Sequence, residues 1–290
     1  MRVLATRRLP GEAWEELGDV ELGPLDERRV DVEALIVAGD TVDESVLDLL
    51  PSLRLVASYG VGYDNVDVAA CRARGVAVTN TPGVLDAATA DLTFALILAT
   101  RRRLVEGDTM VRTGRWATSW SASPFLGRDL AGSTLGVVGL GRIGSAVAQR
   151  ARAFDMHVLS VRRTKGDLDQ LLGAADVVSL HVPLTQETTG LLSRERLALL
   201  RDGATLVNTA RGGVVDEPAL VDELVSGRIS AGLDVFVNEP HVPEALRGLP
   251  NVVLTPHIGS ATVETRAAMT RIVVENVLAL ARGEPLKTPV

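Results

Sequence analysis

Short apolar segments alternate with longer segments of helical periodicity along almost the whole chain. Strands are predicted at residues 3–5, 20–22, 34–37, 55–57 and 76–78, and again at 134–138, 157–161, 177–180, 205–208, 232–235 and 252–254. Strands that alternate with helices are typical of α/β folds, in which crossover helices connect parallel strands. The pattern therefore predicts doubly wound parallel sheets.

Two long helical segments divide this pattern. The segment 86–106 is apolar on nearly all sides between residues 92 and 99, which is typical of a buried helix and also suits a subunit interface. The segment 261–282 has one apolar face and ends before Gly283 and Pro285. We expect it to cross back to the first domain. The predicted organisation is a substrate domain, 1–92 completed by 264–290, and a dinucleotide-binding domain, 93–263.

Composition and charge narrow the possible functions. The chain of 290 residues has a net charge of −7, so no basic surface for nucleic acid or an anionic membrane is expected. Cys71 is the only cysteine, which excludes an internal disulfide and a cysteine-built zinc site. Neither a signal peptide nor an apolar run long enough to cross a bilayer is evident. We expect a soluble cytoplasmic protein.

A glycine turn is the most informative local feature. Gly-Leu-Gly-Arg-Ile-Gly at 139–144 follows a β-branched segment and opens a helical repeat. In such a turn Gly139 permits the tight bend, Gly141 lets a pyrophosphate approach the backbone, and Gly144 lets the helix pack on the strand. The N–H groups at the start of the helix would then face the phosphates. The sequence predicts a dinucleotide site here.

The end of the next predicted strand indicates which dinucleotide is preferred. An acidic residue about 20 positions beyond the glycine turn would bind the ribose 2′-hydroxyl. Instead, Arg162, Arg163 and Thr164 follow the strand. Guanidinium groups match a 2′-phosphate in charge and geometry. The sequence therefore favours NADP(H) over NAD(H), unless these residues form only a solvated basic turn.

Three residues that could carry chemistry follow the later strands. Arg211, Glu239 and His257 stand three, four and three residues beyond predicted strands, which places them at the same edge of a parallel sheet as the glycine turn. Hydride delivery to a ketone develops negative charge on its oxygen, which requires a proton donor and a cation. His257 would donate the proton, Glu239 would keep the imidazole protonated, and Arg211 would bind the substrate carboxylate. Each residue alone also has a structural explanation, as an ion-pair partner or a cap.

Other polar residues at this edge have less specific roles. Asp234 ends a strand and could contact the nicotinamide or the cofactor ribose. His181 ends another strand, where we expect it to line the cofactor through its backbone. His157 and His241 are interpreted as structural or solvent-exposed.

Four motifs together resemble the D-isomer-specific 2-hydroxyacid dehydrogenases. They are the glycine turn, Asn-Thr-Ala-Arg-Gly-Gly at 208–213, Gly-Leu-Asp-Val-Phe at 232–236 with Glu239-Pro240, and Thr-Pro-His-Ile-Gly-Ser at 255–260. The resemblance implies an Arg–Glu–His catalytic triad at Arg211, Glu239 and His257. It also implies two domains that close on the cofactor, and a homodimer formed through the nucleotide-binding domain. The cofactor set implied by it is Gly139, Gly141, Arg142, Ile143, Gly144, Arg162, Arg163, Thr164, His181, Pro183, Thr209, Ala210, Asp234, His257 and Gly259.

Within that family the chain is most similar to glyoxylate/hydroxypyruvate reductases. The similarity lies in residues 78–91, in the segment 116–120 and in the arginines after the 157–161 strand. It implies that the backbone N–H groups of Val61 and Gly62 bind the substrate carboxylate, and that Trp120 reaches the pocket of the partner subunit. The implied reaction is reduction of glyoxylate or hydroxypyruvate to a D-2-hydroxy acid.

Alternative functions remain at this point. Phosphoglycerate dehydrogenases carry an arginine where Ser58 stands, and phosphite dehydrogenases carry a lysine where Val61 stands. A phosphorylated substrate and phosphite are therefore both disfavoured. An aromatic 2-oxo acid stays open. A nucleotide-sensing corepressor of the same fold would favour NAD(H), which the two arginines disfavour. The chain is shorter than is usual in the family between Arg163 and Leu171, where the adenine side of the cofactor site would lie.

Overall fold

The computed structural model describes residues 1–117, 125–162 and 167–290. Internal contacts divide the chain into two compact units, Met1–Leu85 with Ser260–Val290, and Asp86–Gly259. The predicted boundary after residue 92 lies inside the helix Asp86–Arg101. That helix packs against two helices and three strands of the second unit, so it belongs to that unit from its first residue.

The first unit contains a five-stranded parallel sheet. Its strands are β1 (Arg2–Ala5), β2 (Val20–Leu22), β3 (Val32–Val37), β4 (Leu55–Ser58) and β5 (Ala77–Thr79), in the order β2-β1-β3-β4-β5. This is the flavodoxin-like order. β4 is buried along its whole length, as expected for a parallel strand covered on both faces.

Helices α1 (Glu44–Leu49), α2 (Val68–Ala73) and α10 (Val263–Arg282) belong to the first unit. Their starts follow from local chemistry, because Asp43, Asp67 and Thr262 each accept a bond from a backbone N–H of the first turn. Gly283, with φ of 67°, ends α10 in the left-handed conformation.

The second unit contains a six-stranded parallel sheet. Its elements are α3 (Asp86–Arg101), α4 (Leu104–Arg112), β6 (Thr134–Val138), α5 (Arg142–Ala153), β7 (His157–Val161), α6 (Asp167–Ala174), β8 (Val177–Leu180), α7 (Arg194–Ala198), β9 (Thr205–Asn208), α8 (Glu217–Val225), β10 (Ser230–Leu233), α9 (Glu244–Arg247) and β11 (Val252–Leu254). The strand order is β11-β10-β9-β8-β6-β7, so the chain changes direction between β6 and β8. Ligands of open α/β sheets bind outside the carboxyl ends of the strands at such a reversal.

The structure departs from the predicted helix 86–106. α3 ends at Arg101, and Arg103 adopts a left-handed conformation with φ of 52° before α4 begins. The carbonyl of Arg101 accepts a bond from the N–H of Arg128, a residue well outside the helix. The chain therefore turns here although its apolar pattern continues. In the described ranges no helix is both long and apolar enough to cross a membrane.

Candidate active site

The glycine turn lies between β6 and α5, and each of its three glycines has a distinct environment. Gly139 has φ of 97°, and a Cβ there would lie 2.6 Å from the carbonyl oxygen of His181. A Cβ on Gly144 would lie 2.1 Å from the carbonyl oxygen of Gly139, whereas one on Gly141 would meet nothing within 4 Å. Two glycines thus permit close packing, and the third leaves open space above the backbone.

This open space fits the pyrophosphate of a dinucleotide. Gly141 is the N-cap of α5 and has no side chain to accept bonds from the first N–H groups of that helix. These donors and the positive end of the helix dipole suit an anion. Arg142, the first helical residue, has a largely exposed side chain that lies 3.5 Å from the carboxylate of Asp86. Ile143 packs against the core beneath the turn.

The neighbouring strand ends carry further predicted cofactor residues. Arg162 follows β7 and is exposed, while Arg163, Thr164 and Trp120 lie outside the described residues. The Nε2 atom of His181, after β8, lies 2.8 Å from the Oγ atom of Ser179. Burial lowers the pKa of His181 to about 4, so its imidazole is neutral at pH 7 and unsuited to donate a proton. The carbonyl of Pro183 accepts a bond from Thr188.

Asn208, the last residue of β9, shapes the turn that carries Arg211. Its buried side chain accepts a bond from the N–H of Ala210 at 3.0 Å and donates one to the carbonyl of Arg211 at 2.9 Å. The hydroxyl of Thr209 lies 3.0 Å from that of Thr93 on α3. One guanidinium nitrogen of Arg211 bonds the carbonyl of Ala210 at 2.8 Å. The backbone carrying Arg211 is therefore fixed on two sides.

Gly212 brings the Arg211 turn against the segment that carries Glu239. A Cβ on Gly212 would lie 2.1 Å from the carbonyl carbon of Phe236, so the two backbones touch. The N–H of Phe236 donates to Oε1 of Glu239 at 3.0 Å, and the N–H of Val237 donates to Glu217 at 3.0 Å. These contacts hold Glu239 beside the arginine.

Glu239 and His257 form a hydrogen-bonded pair. Nδ1 of His257 lies 2.7 Å from Oε2 of Glu239. Burial opposes ionisation of Glu239, but the hydrogen bonds from His257 and the N–H of Phe236, with the positive charges of His257 and Arg211, outweigh it and lower the pKa of this carboxyl. The site therefore contains an ionised carboxylate that bonds an imidazole beside a guanidinium.

Asp234, immediately after β10, anchors the loop that carries His257 through hydrogen bonds. Its carboxylate accepts bonds from the Thr255 hydroxyl at 2.6 Å, from the N–H of Ile258 at 2.8 Å and from the N–H of Gly259 at 2.8 Å. Its own carbonyl accepts the N–H of His257, which has φ of 54°. Burial raises the pKa of Asp234, and these bonds only partly offset it. Its contact with a cofactor stays a prediction.

The structure thus brings Arg211, Glu239 and His257 together at the carboxyl ends of the adjacent strands β9, β10 and β11. Their catalytic roles stay predictions. Asn208 and Thr255, whose side chains organise the two turns, were not predicted as site residues from the sequence. An asparagine that ends a strand before a turn is a recognisable signal, because its side chain can bond the backbone two residues ahead. In the described part of the chain, no group of three or more acidic, histidine or cysteine side chains could hold a metal ion.

Residues 94–259 match the family model of the D-isomer specific 2-hydroxyacid dehydrogenase NAD-binding domain. The glyoxylate reductase of Pyrococcus furiosus is 48% identical over 290 residues, covering 94% of this chain and 86% of the relative. A solved structure from Thermus thermophilus superposes with a TM-score of 0.93 at 48% identity and full coverage of both chains.

A second solved structure adds information on ligands. The NADPH-dependent glyoxylate/hydroxypyruvate reductase of Sinorhizobium meliloti, in complex with NADP and malonate, has a TM-score of 0.88 at 38% identity. The alignment covers all of this chain and 96% of that one. A structure from Aquifex aeolicus, a D-lactate dehydrogenase with NAD and lactic acid, has a TM-score of 0.86 at 32% identity over 98% of this chain and 96% of that one. The two similar proteins therefore bind different nicotinamide cofactors.

Proposed function

The chain belongs to the D-isomer specific 2-hydroxyacid dehydrogenase family, and from this premise we propose that it reduces glyoxylate or hydroxypyruvate with NADPH to the corresponding 2-hydroxy acid, which for hydroxypyruvate is the D isomer. The coarser activity, an oxidoreductase of 2-oxo acids that uses a nicotinamide cofactor, follows from the family and from relatives such as the glyoxylate reductase of P. furiosus. The observation that carries the proposal is the bonded Glu239–His257 pair beside Arg211.

The reaction requires a hydride at C2 of the 2-oxo acid and a proton on its oxygen. A bound nicotinamide supplies the hydride. Nδ1 of His257 already bonds Glu239, so Nε2 is the ring nitrogen that donates the proton to the carbonyl oxygen. The ionised Glu239 accepts a bond from Nδ1 and fixes the orientation of the ring. Arg211 binds the substrate carboxylate and stabilises the charge that develops on oxygen.

The second contact with the substrate carboxylate is assigned to Val61 and Gly62 in the turn after β4. Among the described residues, no backbone carbonyl accepts a bond from the N–H of either residue. Two adjacent backbone N–H donors suit a carboxylate oxygen. Trp120 is expected to contribute from the partner subunit.

An assay with both cofactors tests the proposal. NADPH oxidation is followed by absorbance with glyoxylate, hydroxypyruvate, an aromatic 2-oxo acid and a phosphorylated 2-oxo acid. We expect turnover with the two small substrates and a higher kcat/KM with NADPH than with NADH. Absence of turnover with every 2-oxo acid refutes the enzyme assignment, whereas turnover with only the aromatic acid refutes the substrate.

Exchanging the charge at Arg162 tests the cofactor preference. Arg162→Asp removes a cation from the exposed end of β7 and supplies a carboxylate suited to a ribose 2′-hydroxyl. We expect the ratio of kcat/KM for NADPH to that for NADH to fall by at least roughly tenfold. Arg152→Asp, an equal change of charge at an exposed position on α5, is the control. An unchanged ratio in Arg162→Asp contradicts the assignment.

A homodimer is proposed on the apolar surface of α4. This helix has no buried residue, and Leu104, Val105 and Val111 are each more than half exposed. Trp116 and Leu126 extend the same stretch with exposures of 60% and 69%. A second copy of the chain would cover this surface. Val111→Asp is expected to convert dimers to monomers in analytical ultracentrifugation, and a monomeric unmodified protein contradicts the proposal.

A further inference from the structure

The turn after β4, which contains Gly60, Val61 and Gly62, is held from one side by the segment that follows β5. The N–H of Thr81 donates to the carbonyl of Gly60 at 2.9 Å. The side-chain amide of Asn80 donates to the carbonyl of Val61 at 2.9 Å. Asn80 is 9% exposed, so water competes little for this bond. The position of the Val61 peptide therefore depends on where Asn80 lies.

The backbone of Asn80 is in turn bonded to Thr288. Its N–H donates to the carbonyl of Thr288 at 3.2 Å, and its carbonyl accepts the Thr288 hydroxyl at 2.6 Å. Thr79 and Pro289 form an antiparallel bridge, and the N–H of Val290 donates to the carbonyl of Val78 at 3.0 Å. Residues 288–290 thus run along the edge of the sheet beside β5.

A buried asparagine on α10 fixes Thr288. The side-chain oxygen of Asn276 accepts the N–H groups of Lys287 at 2.8 Å and Thr288 at 3.3 Å. Its amide nitrogen bonds the carbonyl of Ile272 at 2.8 Å and the Thr288 hydroxyl at 3.0 Å. A hydroxyl has one proton, so Thr288 accepts from Asn276 and donates to the carbonyl of Asn80. The bonds form one directed chain from α10 to the turn.

We propose that Thr288 is a positioning residue for the substrate turn, and that it acts through Asn80 on the peptide between Val61 and Gly62. This inference rests on the proposed function, in which those N–H groups bind the substrate carboxylate. A turn held in its binding geometry before the substrate arrives loses less conformational freedom on binding. The carboxylate is bound in the ground state and the transition state alike, so misplacement of the turn raises KM and leaves kcat nearly unchanged.

Removal of the Thr288 hydroxyl tests the proposal. Thr288→Val keeps the shape of the side chain and removes both hydroxyl bonds. We expect KM for glyoxylate to rise roughly three- to tenfold, with little change in kcat or in the Kd for NADPH. Thr288→Ser restores the hydroxyl and is expected to restore KM. Lys287→Ala, which changes the exposed neighbouring side chain and keeps its N–H bond to Asn276, is the control for local disturbance.

A second variant tests whether the effect passes through Asn80. Asn80→Asp replaces the amide donor with an oxygen that faces the Val61 carbonyl, so KM is expected to rise by at least roughly tenfold. In the double variant with Thr288→Val, the two increases should combine to less than their product, because both act on one chain of bonds. If the two increases in KM multiply in the double variant, Thr288 and Asn80 act independently, and the proposed pathway through Asn80 is overturned.

Hydrogen exchange at the N–H of Thr81, which donates to the carbonyl of Gly60, provides a readout that is independent of activity. We expect faster exchange of this N–H group in Thr288→Val than in the unmodified protein or Thr288→Ser. If the unmodified protein reduces no 2-oxo acid, the proposed function fails, while the exchange result still tests the positioning. If the unmodified protein is active and Thr288→Val lowers thermal stability with KM and exchange unchanged, the segment is only a structural support and the inference is overturned.

Discussion

Replacing His257 by asparagine is expected to lower kcat for 2-oxo acid reduction by roughly 10²- to 10⁴-fold, the usual contribution of a positioned general acid. The imidazole is the only group of the bonded Glu239–His257 pair that can deliver a proton at neutral pH, because Glu239 is ionised there. Asparagine is preferred to alanine because residue 257 has φ of 54°, and asparagine tolerates this left-handed conformation. The loss of kcat in His257→Asn would therefore reflect the missing proton donor and not a change in backbone conformation.

Steady-state kinetics and a thermal melt distinguish these two causes. We expect His257→Asn to keep the Kd for NADPH and the melting temperature of the unmodified protein. His157→Asn, at an exposed position on β7, is the matched control and should retain full activity. A kcat within tenfold of the unmodified value in His257→Asn would exclude this residue as the proton donor.

Gly212→Ala is expected to lower kcat/KM by about 100-fold, although residue 212 carries no functional group. Its added Cβ would lie 2.1 Å from the carbonyl carbon of Phe236 and 2.4 Å from the N of Val237. Both neighbours are backbone atoms, so one of the two segments must move. Arg211 directly precedes the glycine and Glu239 follows Phe236 by three residues, so either movement separates the arginine from the carboxylate.

The adjacent glycine provides a control in the same turn. The atoms nearest to a Cβ on Gly213 belong to the side chain of Leu184, whose Cδ atoms would lie at 3.2 Å and 3.4 Å, and that side chain can rotate. Gly213→Ala is therefore expected to keep kcat/KM within a few-fold of the unmodified value. Circular dichroism verifies that both variants fold. Equal losses in the two variants would show that the close approach at Gly212 has no special importance.

The elements that the sequence predicted well are those specified by neighbouring residues. The parallel strands and the glycine turn depend on local apolar runs and on glycine conformation, and the α/β fold of the family is confirmed by the structural comparisons. The end of α3 at Arg101 depends instead on a bond from Arg128, which no local pattern reveals. The predicted continuation to residue 106 was wrong for that reason.

Hydrogen bonds between residues distant in sequence also account for the contacts in the candidate site that were not predicted. Arg211, Glu239 and His257 were predicted to share a sheet edge because each follows a strand. The carboxyl ends of parallel strands lie at the same edge of a sheet. The bonds of Asp234 to the loop at 255–259, and of Asn80 to a threonine 208 positions away, join residues whose proximity exists only in the folded chain. No local sequence pattern indicates these contacts.

The division of the chain has a consequence for its synthesis. The second unit, Asp86–Gly259, is one continuous stretch, so all its strands have been synthesised before residues 260–290 are made. The first unit must wait for those residues, because Tyr59 bonds the carbonyl of Arg266 and Asn80 bonds Thr288. Domains generally fold as units during translation. The part of the protein that is translated first is therefore the part that is completed last.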